Sequence, residues 1–323
     1  MSQNEVLIWN AARPWTKEQI KVSCFRGLIK TQETIESLPG SKISLELDAL
    51  RLSLNIFLDA AYDLFSSINM LKGESEKPDF YDRTRRTELE RLELHIQRGV
   101  FSAAAAAMAL VYHSRQFNTR YPVESYQERI DENFAKDPLH RFIQKFRDFM
   151  VHVRSVESSR LVTWDKQGKS VFFILSAKQL KQYHKWDAPS KSYIESHPKG
   201  INVEQLFREY LKKIKLFHDW FRSEVWEKNA QDLKEYFACK KVYNAVNAGS
   251  MWSLLIKQAF AQKKINPYMY LDKYLSGNEI QEILSLPFRS KEQVDRVIEL
   301  VDECGVCDEE LRKATYALFG VAP

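Results

Sequence analysis

The segment Asp137-Pro138-Leu139-His140-Arg141-Phe142-Ile143-Gln144-Lys145-Phe146-Arg147-Asp148-Phe149-Met150-Val151-His152-Val153 reads as one amphipathic helix. Asp137 is a side-chain acceptor for the first free backbone N–H groups, and Pro138 sits at the first helical position, where its missing N–H costs nothing. Leu139, Phe142, Ile143, Phe146, Phe149, Met150 and Val153 then fall within an arc of about 120° on a helical wheel, which predicts a core face. Arg147 and His152 flank that arc on opposite sides, and Asp148 follows the arginine.

Helical periodicity continues on the N-terminal side. Pro122 restarts the chain and predicts a short helix to Phe134. Before it, a helix from near Asp79 to about Phe117 carries Leu89, Leu92, Ile96, Val100, Ala103, Ala104, Ala107 and Val111 at core spacing. Its alanines, Ala103 to Ala107, favour helix and let a neighbouring backbone come close. Earlier still, a helix follows the break Leu38-Pro39-Gly40-Ser41, repeats Leu45, Leu50, Leu54, Phe57, Ala61, Leu64 and Ile68 toward Leu71, and closes at Lys72-Gly73 and Pro78.

On the C-terminal side the period changes. Leu161-Val162-Thr163-Trp164 and Val171-Phe172-Phe173-Ile174, joined through Gly168, predict a β-hairpin over about 161–175. After Pro198-Lys199-Gly200, Asn202 caps a further helix with Gln205 at the reciprocal position, and Val203, Leu206, Phe207, Tyr210, Ile214, Phe217, Phe221 and Val225 form its apolar stripe. From Ala230 onward shorter helices are expected, separated at Ala248-Gly249-Ser250, Asn266-Pro267, Ser276-Gly277 and Pro287. The expected architecture is all-α: an N-terminal segment 1–42, a four-helix bundle with a small hairpin insertion over 43–228, and a C-terminal helical region 230–323.

The totals agree with a helical globular chain. There are 10 Gly and 10 Pro in 323 residues, few for a protein built on turns, and 44% of residues are hydrophobic against 28% charged. Met1 to Trp15 lacks a basic start followed by an apolar run, and no uncharged run approaches the roughly 20 residues of a membrane span, so a cytoplasmic protein without membrane attachment is expected. The net charge of +5 permits a polyanionic partner without demanding one. Basic residues gather in two places, Arg83, Arg85, Arg86, Arg91 and Arg98, and then Arg141, Lys145, Arg147, Arg154 and Arg160 around the motif helix. Cys24, Cys239, Cys304 and Cys307 are too few and too scattered for a disulfide framework. Cys304-Gly305-Val306-Cys307 has the spacing of half a zinc site, but structural zinc takes four ligands and no second pair lies nearby, so no metal or other cofactor is expected. No Gly-rich phosphate loop, nucleophile elbow or His-Glu-x-x-His helix occurs.

Arg147-Asp148-x-x-x-His152, ending one helix of a four-helix set, resembles the Arg-x4-6-His signature of HEPN domains, in which Asn, Asp or His commonly follows the arginine. An arginine and histidine at this spacing arise by chance about 0.4 times in a chain of this composition, and about 0.06 times once that polar residue is required. The resemblance covers about residues 43 to 228 and nothing beyond 230. It implies an up-and-down four-helix bundle that pairs two copies to form one metal-independent endoribonuclease site, in many members as a toxin or phage-defence effector. By position, Arg147 would hold the scissile phosphate, His152 would act as general base or acid at the ribose 2′-hydroxyl, and Asp148 would orient one of them. The residue types suit the chemistry: a guanidinium grips phosphate oxygens as a fork, and an imidazole ordinarily exchanges protons near neutrality. Arg141, Lys145, Arg154 and His140 are candidate RNA contacts. Some HEPN toxins carry a tyrosine two residues after the histidine, the target of a modifying antitoxin; Arg154 stands there in this chain, so that tyrosine modification is not expected, and the partner expected besides a second copy and RNA is an antitoxin or another protein.

Two other classes fit the same sequence. One is a catalytically inactive helical module that binds RNA, a nucleotide or a protein through its basic rim. The other is an adaptor with exposed aromatics such as Trp220, Trp226 and Trp252.

Overall fold

A computed structural model of the chain describes residues 30–80, 82–153, 158–165, 168–260 and 265–321, apart from the side chains at 158, 159, 164, 165 and 168. It is mostly helical, 78% helix, with a small three-stranded sheet. The elements in order are α1 (Gln32–Ser37), α2 (Pro39–Ser75), α3 (Arg86–Arg120), α4 (Tyr126–Ile130), α5 (Pro138–His152), β1 (Ser158–Asp165), β2 (Gly168–Leu175), α6 (Ala177–Lys181), α7 (Ala188–Glu195), β3 (Ile201–Asn202), α8 (Val203–Lys228), α9 (Ala230–Leu254), α10 (Gly277–Ser285), α11 (Lys291–Val301) and α12 (Glu309–Phe319). Two compact units result: residues 43–229, and residues 30–42 with 230–321.

In the 43–229 unit, α2, α3, α5 and α8 meet through one core. Phe57 of α2 meets Tyr210 of α8 edge to face at 6.0 Å, and Phe117 of α3 meets Phe221 of α8 at 5.7 Å. Gly99 lies where a Cβ would stand 3.2 Å from Leu64, so α2 and α3 approach closely there. The alanines Ala103, Ala104 and Ala107 are fully buried, as their small size allows. Asp137 accepts from His140 N at 3.0 Å and starts α5 as its sequence predicts.

Several elements differ from expectation. The second long helix begins at Arg86, not near Asp79, because Arg85 bonds Glu74, Asp79 and Glu88 and holds the preceding residues in turns. β1 and β2 pair from Ser158 opposite Leu175 to Asp165 opposite Gly168, and β3 adds to β2 as a third strand. Gly200 stands just before β3 with φ 110°, where a Cβ would lie 2.9 Å from the Leu175 carbonyl oxygen. Helices α6 and α7 had no counterpart in the periodicity. Leu45, placed in the core stripe of α2, is 72% exposed, and Val153, placed on the α5 core face, is 50% exposed one residue past the helix end.

The segment Arg83–Arg120 is long and apolar enough, by composition alone, to cross a membrane. Its row Leu89, Ile96, Val100, Ala107, Leu110 and Phe117 is buried inside the unit, while Leu94, Phe101 and Tyr112 are exposed, and one such helix is weak evidence of a membrane span.

The other unit packs α1 against α9 through Ile35, Tyr236 and Cys239, with Lys30 on Glu235 and Tyr243 bonding Gln32. Residues 30–42 therefore belong with the C-terminal region and are not a separate segment. Pro39-Gly40 opens α2 where a break was expected: proline at the first turn needs no donor, and a Cβ on Gly40 would collide with the Asp232 carbonyl. Gly249 also lies within a helix, because α9 continues unbroken past it to Leu254. Beyond it, α10 to α12 close a second core around Ile283, Val294, Ile298 and Leu311. Ser276 and Glu279 form a reciprocal cap at the start of α10.

Candidate functional site at the end of the motif helix

Helix α5 is held by aromatic packing that the sequence periodicity did not reveal. Trp186, in the loop between α6 and α7, stacks on Phe142 at 5.6 Å and Phe149 at 5.7 Å, and Tyr193 of α7 stacks on Phe142 at 5.1 Å. The Trp186 indole N–H donates to the Leu180 carbonyl at 2.7 Å, which satisfies its one polar atom inside the core. The signal available in the sequence was Asp187-Ala188-Pro189, another acceptor placed just ahead of a first-turn proline.

This packing leaves Arg147 and His152 on the two flanks of the helix. The Arg147 side chain is 36% exposed, and its Nη1 donates to Asp148 Oδ1 at 3.0 Å. His152 is the last residue of α5 and is exposed, with no hydrogen bond to its ring among the described residues. Because α5 remains regular to its end, residues five apart are turned by about 140° from one another. One chain therefore presents a guanidinium and an imidazole to solvent without converging them on a single point. Asp148 is oriented toward Arg147.

The candidate RNA contacts separate. Lys145 is half-buried on α5 with no ion pair among the described residues. Arg141 donates Nε and Nη2 to Asp187 Oδ2, at 2.9 and 2.5 Å, and Nη1 to Gln144, so its fork is already occupied. Arg154 lies outside the described residues. His140 is only 5% exposed, its Nδ1 is 3.0 Å from the Tyr210 hydroxyl, and burial pushes its pKa down to about 4. Its place in the interior removes it from any surface that meets phosphate, a correction to the sequence reading. The first turn of α5 is covered there by Phe134 and by Tyr210 of α8.

Both basic clusters are partly neutralised. Arg85 serves three carboxylates, Arg86 pairs with Glu90, and Arg160 pairs with Glu93. Trp220 is covered by Arg129 at 5.3 Å and donates to Glu224, whereas Trp226 is 40% exposed. Among the described residues no group of three or more His, Cys, Asp or Glu is placed to hold a metal ion. Cys307 is buried, which pushes its thiol up to about 11, and Cys304 is half-buried.

Comparison with protein-family models, curated proteins and solved structures finds no match for the chain.

Proposed function

We propose that residues 43–229 form a HEPN-like helical bundle acting as a metal-independent RNA endonuclease, a toxin or phage-defence effector completed by a second copy of the chain. The observation that carries the reading is the end of α5: an exposed imidazole at His152 with no partner among the described residues, and on the other flank of the helix a solvent-accessible guanidinium at Arg147 bonded to Asp148. In this scheme His152 takes the proton from a ribose 2′-hydroxyl, whose oxygen attacks the adjacent phosphorus. Arg147 holds the phosphoryl oxygens as charge builds on them, and the departing 5′-oxygen takes a proton from the partner copy's His152. The products are a 2′,3′-cyclic phosphate and a 5′-hydroxyl, so no redox step or metal is required.

A second copy answers the turn of about 140° between the two side chains, since one protomer's Arg147 can face the other's His152. The unit also has surface on which copies can pair. Leu45, Leu52, Ile56 and Met70 lie along one solvent-facing arc of α2, and Leu94, Phe101 and Tyr112 along one arc of α3, each 44 to 72% exposed. At about 100 Å² each, these side chains approach the roughly 800 Å² per partner that a specific interface buries.

The test is cleavage of a mixed RNA pool in chelator by folded wild type, Arg147→Ala and His152→Ala. Each substitution should reduce cleavage by about 100-fold or more, and mixing the two variants should not restore wild-type cleavage, because the mixed dimer holds one His152 where the scheme uses two. The Arg147–Asp148 ion pair favours one alternative, an inactive helical module that binds RNA, a nucleotide or a protein. Wild type that binds RNA and leaves it intact under every condition would establish that alternative.

A further inference from the structure

The unit formed by residues 30–42 and 230–321 contains a cavity of about 90 Å³, partly open to solvent, between the end of α9, the turn at 267–274, α11 and α12. Its walls are apolar and strongly aromatic, with Trp252, Phe260, Tyr270, Tyr274 and Phe319 among them. The rings are already organised: Trp252 packs on Tyr274 at 5.7 Å, and Phe260 stacks on Tyr270 at 6.4 Å and 23°. Among the described residues Asp302 supplies the one charged side chain in the lining, and its two carboxylate oxygens accept from the backbone N–H groups of Val306 and Cys307, both at 2.9 Å. Thr315 donates to the Leu311 carbonyl at 2.8 Å, and the Cys307 thiol turns to the Asp308 carbonyl.

That internal bonding decides the class of ligand. A charged or strongly polar group entering the cavity would lose its water and find no uncommitted charge to replace it, a cost of several kcal/mol. An apolar ring loses nothing comparable and gains contact with preformed aromatic walls. Apolar protein cavities of roughly 150 Å³ take up benzene. Here the enclosed space is smaller and one side is open, so a single ring enters with its edge or a substituent toward solvent.

We infer that this cavity is a binding site for an uncharged apolar small molecule, seated by one aromatic or alicyclic ring among Trp252, Phe260, Tyr274 and Phe319. The inference concerns the C-terminal unit alone and is independent of ribonuclease activity at α5.

The full chain is titrated with toluene, followed by saturation-transfer NMR and by the thermal midpoint, with benzoate and benzylamine as charged counterparts of similar shape. Toluene should raise the midpoint, and each charged analogue should bind at least about 10-fold more weakly. Val301→Trp and Ile256→Trp fill the cavity from opposite walls, and whichever remains folded should lose the toluene signal. On unsubstituted protein, saturating toluene should slow alkylation of Cys307, which lines the cavity and is 6% exposed. Absence of a toluene signal, equal binding of the charged analogues, or an unchanged Cys307 alkylation rate would overturn the assignment.

Discussion

The His140 imidazole and the Tyr210 phenol stack at 21°, with Nδ1 and the hydroxyl 3.0 Å apart, inside the 43–229 unit. The contact ties the first turn of the motif helix to the middle of α8, and each residue satisfies the other's buried polar atom. Tyr210→Phe keeps the ring and deletes the hydroxyl. It should cost about 1 to 3 kcal/mol, because His140 is left buried with an unmet nitrogen. Urea unfolding monitored by circular dichroism measures this, and a midpoint equal to that of wild type would mean that water takes the hydroxyl's place.

His140 and His218 predict how stability responds to acid. Burial pushes both down to about 4; around His140 the Asp137 carboxylate opposes the shift, while Arg115, Arg141 and Lys213 add to it. In the unfolded chain an imidazole takes its proton near 6.5. Between about 6.5 and 4 the unfolded state therefore binds protons that the folded state refuses. Stability should be level above 6.5 and fall on acidification by about 1.4 kcal/mol per pH unit for each histidine. Ser114 Oγ is 3.4 Å from His218 Nε2, so His218→Gln preserves a polar partner there and should flatten part of the slope. Urea midpoints from pH 7.5 to 4.5 for the two proteins provide the comparison.

Gly200 should not tolerate a side chain. Its φ of 110° lies where L-residues are strained, and the Leu175 carbonyl already occupies the approach of a Cβ. Gly200→Ala should lower stability by at least about 1 to 3 kcal/mol by forcing β3 off β2. A thermal midpoint within a degree of wild type would show that the strand pair yields at little cost.

Asp187 does two jobs, capping α7 through Ser190 N at 3.0 Å and holding Arg141. Asp187→Ala should cost about 1 to 2 kcal/mol, chiefly through the lost cap. It also releases the Arg141 fork. If Arg141 then reaches RNA, the affinity of the variant rises and its dependence on salt steepens; equal salt slopes for variant and wild type would place Arg141 away from the nucleic acid.

Pairing of copies through α2 and α3 is sensitive to charge on the exposed stripes. Leu52→Glu combined with Phe101→Glu removes two solvent-facing apolar side chains, 60 and 44% exposed, and should leave the monomer folded while abolishing association. Sedimentation velocity over a concentration series distinguishes this from an interface elsewhere, for which both proteins would dimerise alike.

Local chemistry in the chain by itself determined the long amphipathic helices and several of their starts. Asp137-Pro138, Asn202 and Ser276 with Glu279 mark starts because a short side-chain acceptor meets free N–H groups whatever surrounds it, and the apolar rows of α3, α5 and α8 follow from a period of 3.6 residues. The hairpin was legible for the same reason, through residues adjacent in sequence. The candidate motif was legible as residue types at a spacing. Tertiary structure alone decided which apolar row finds a partner: Leu45, Leu52, Ile56 and Met70 keep a helical spacing as regular as that of Phe57, Ala61, Leu64 and Ile68, yet the first row is exposed and the second buried. It likewise decided that His140 is buried against Tyr210, that Arg141 is held by Asp187, and that Trp186 covers α5. Periodicity specifies the direction in which a side chain leaves its own helix. Burial, charge pairing and access depend on residues distant in sequence that meet it there, and those meetings exist only once the chain has packed.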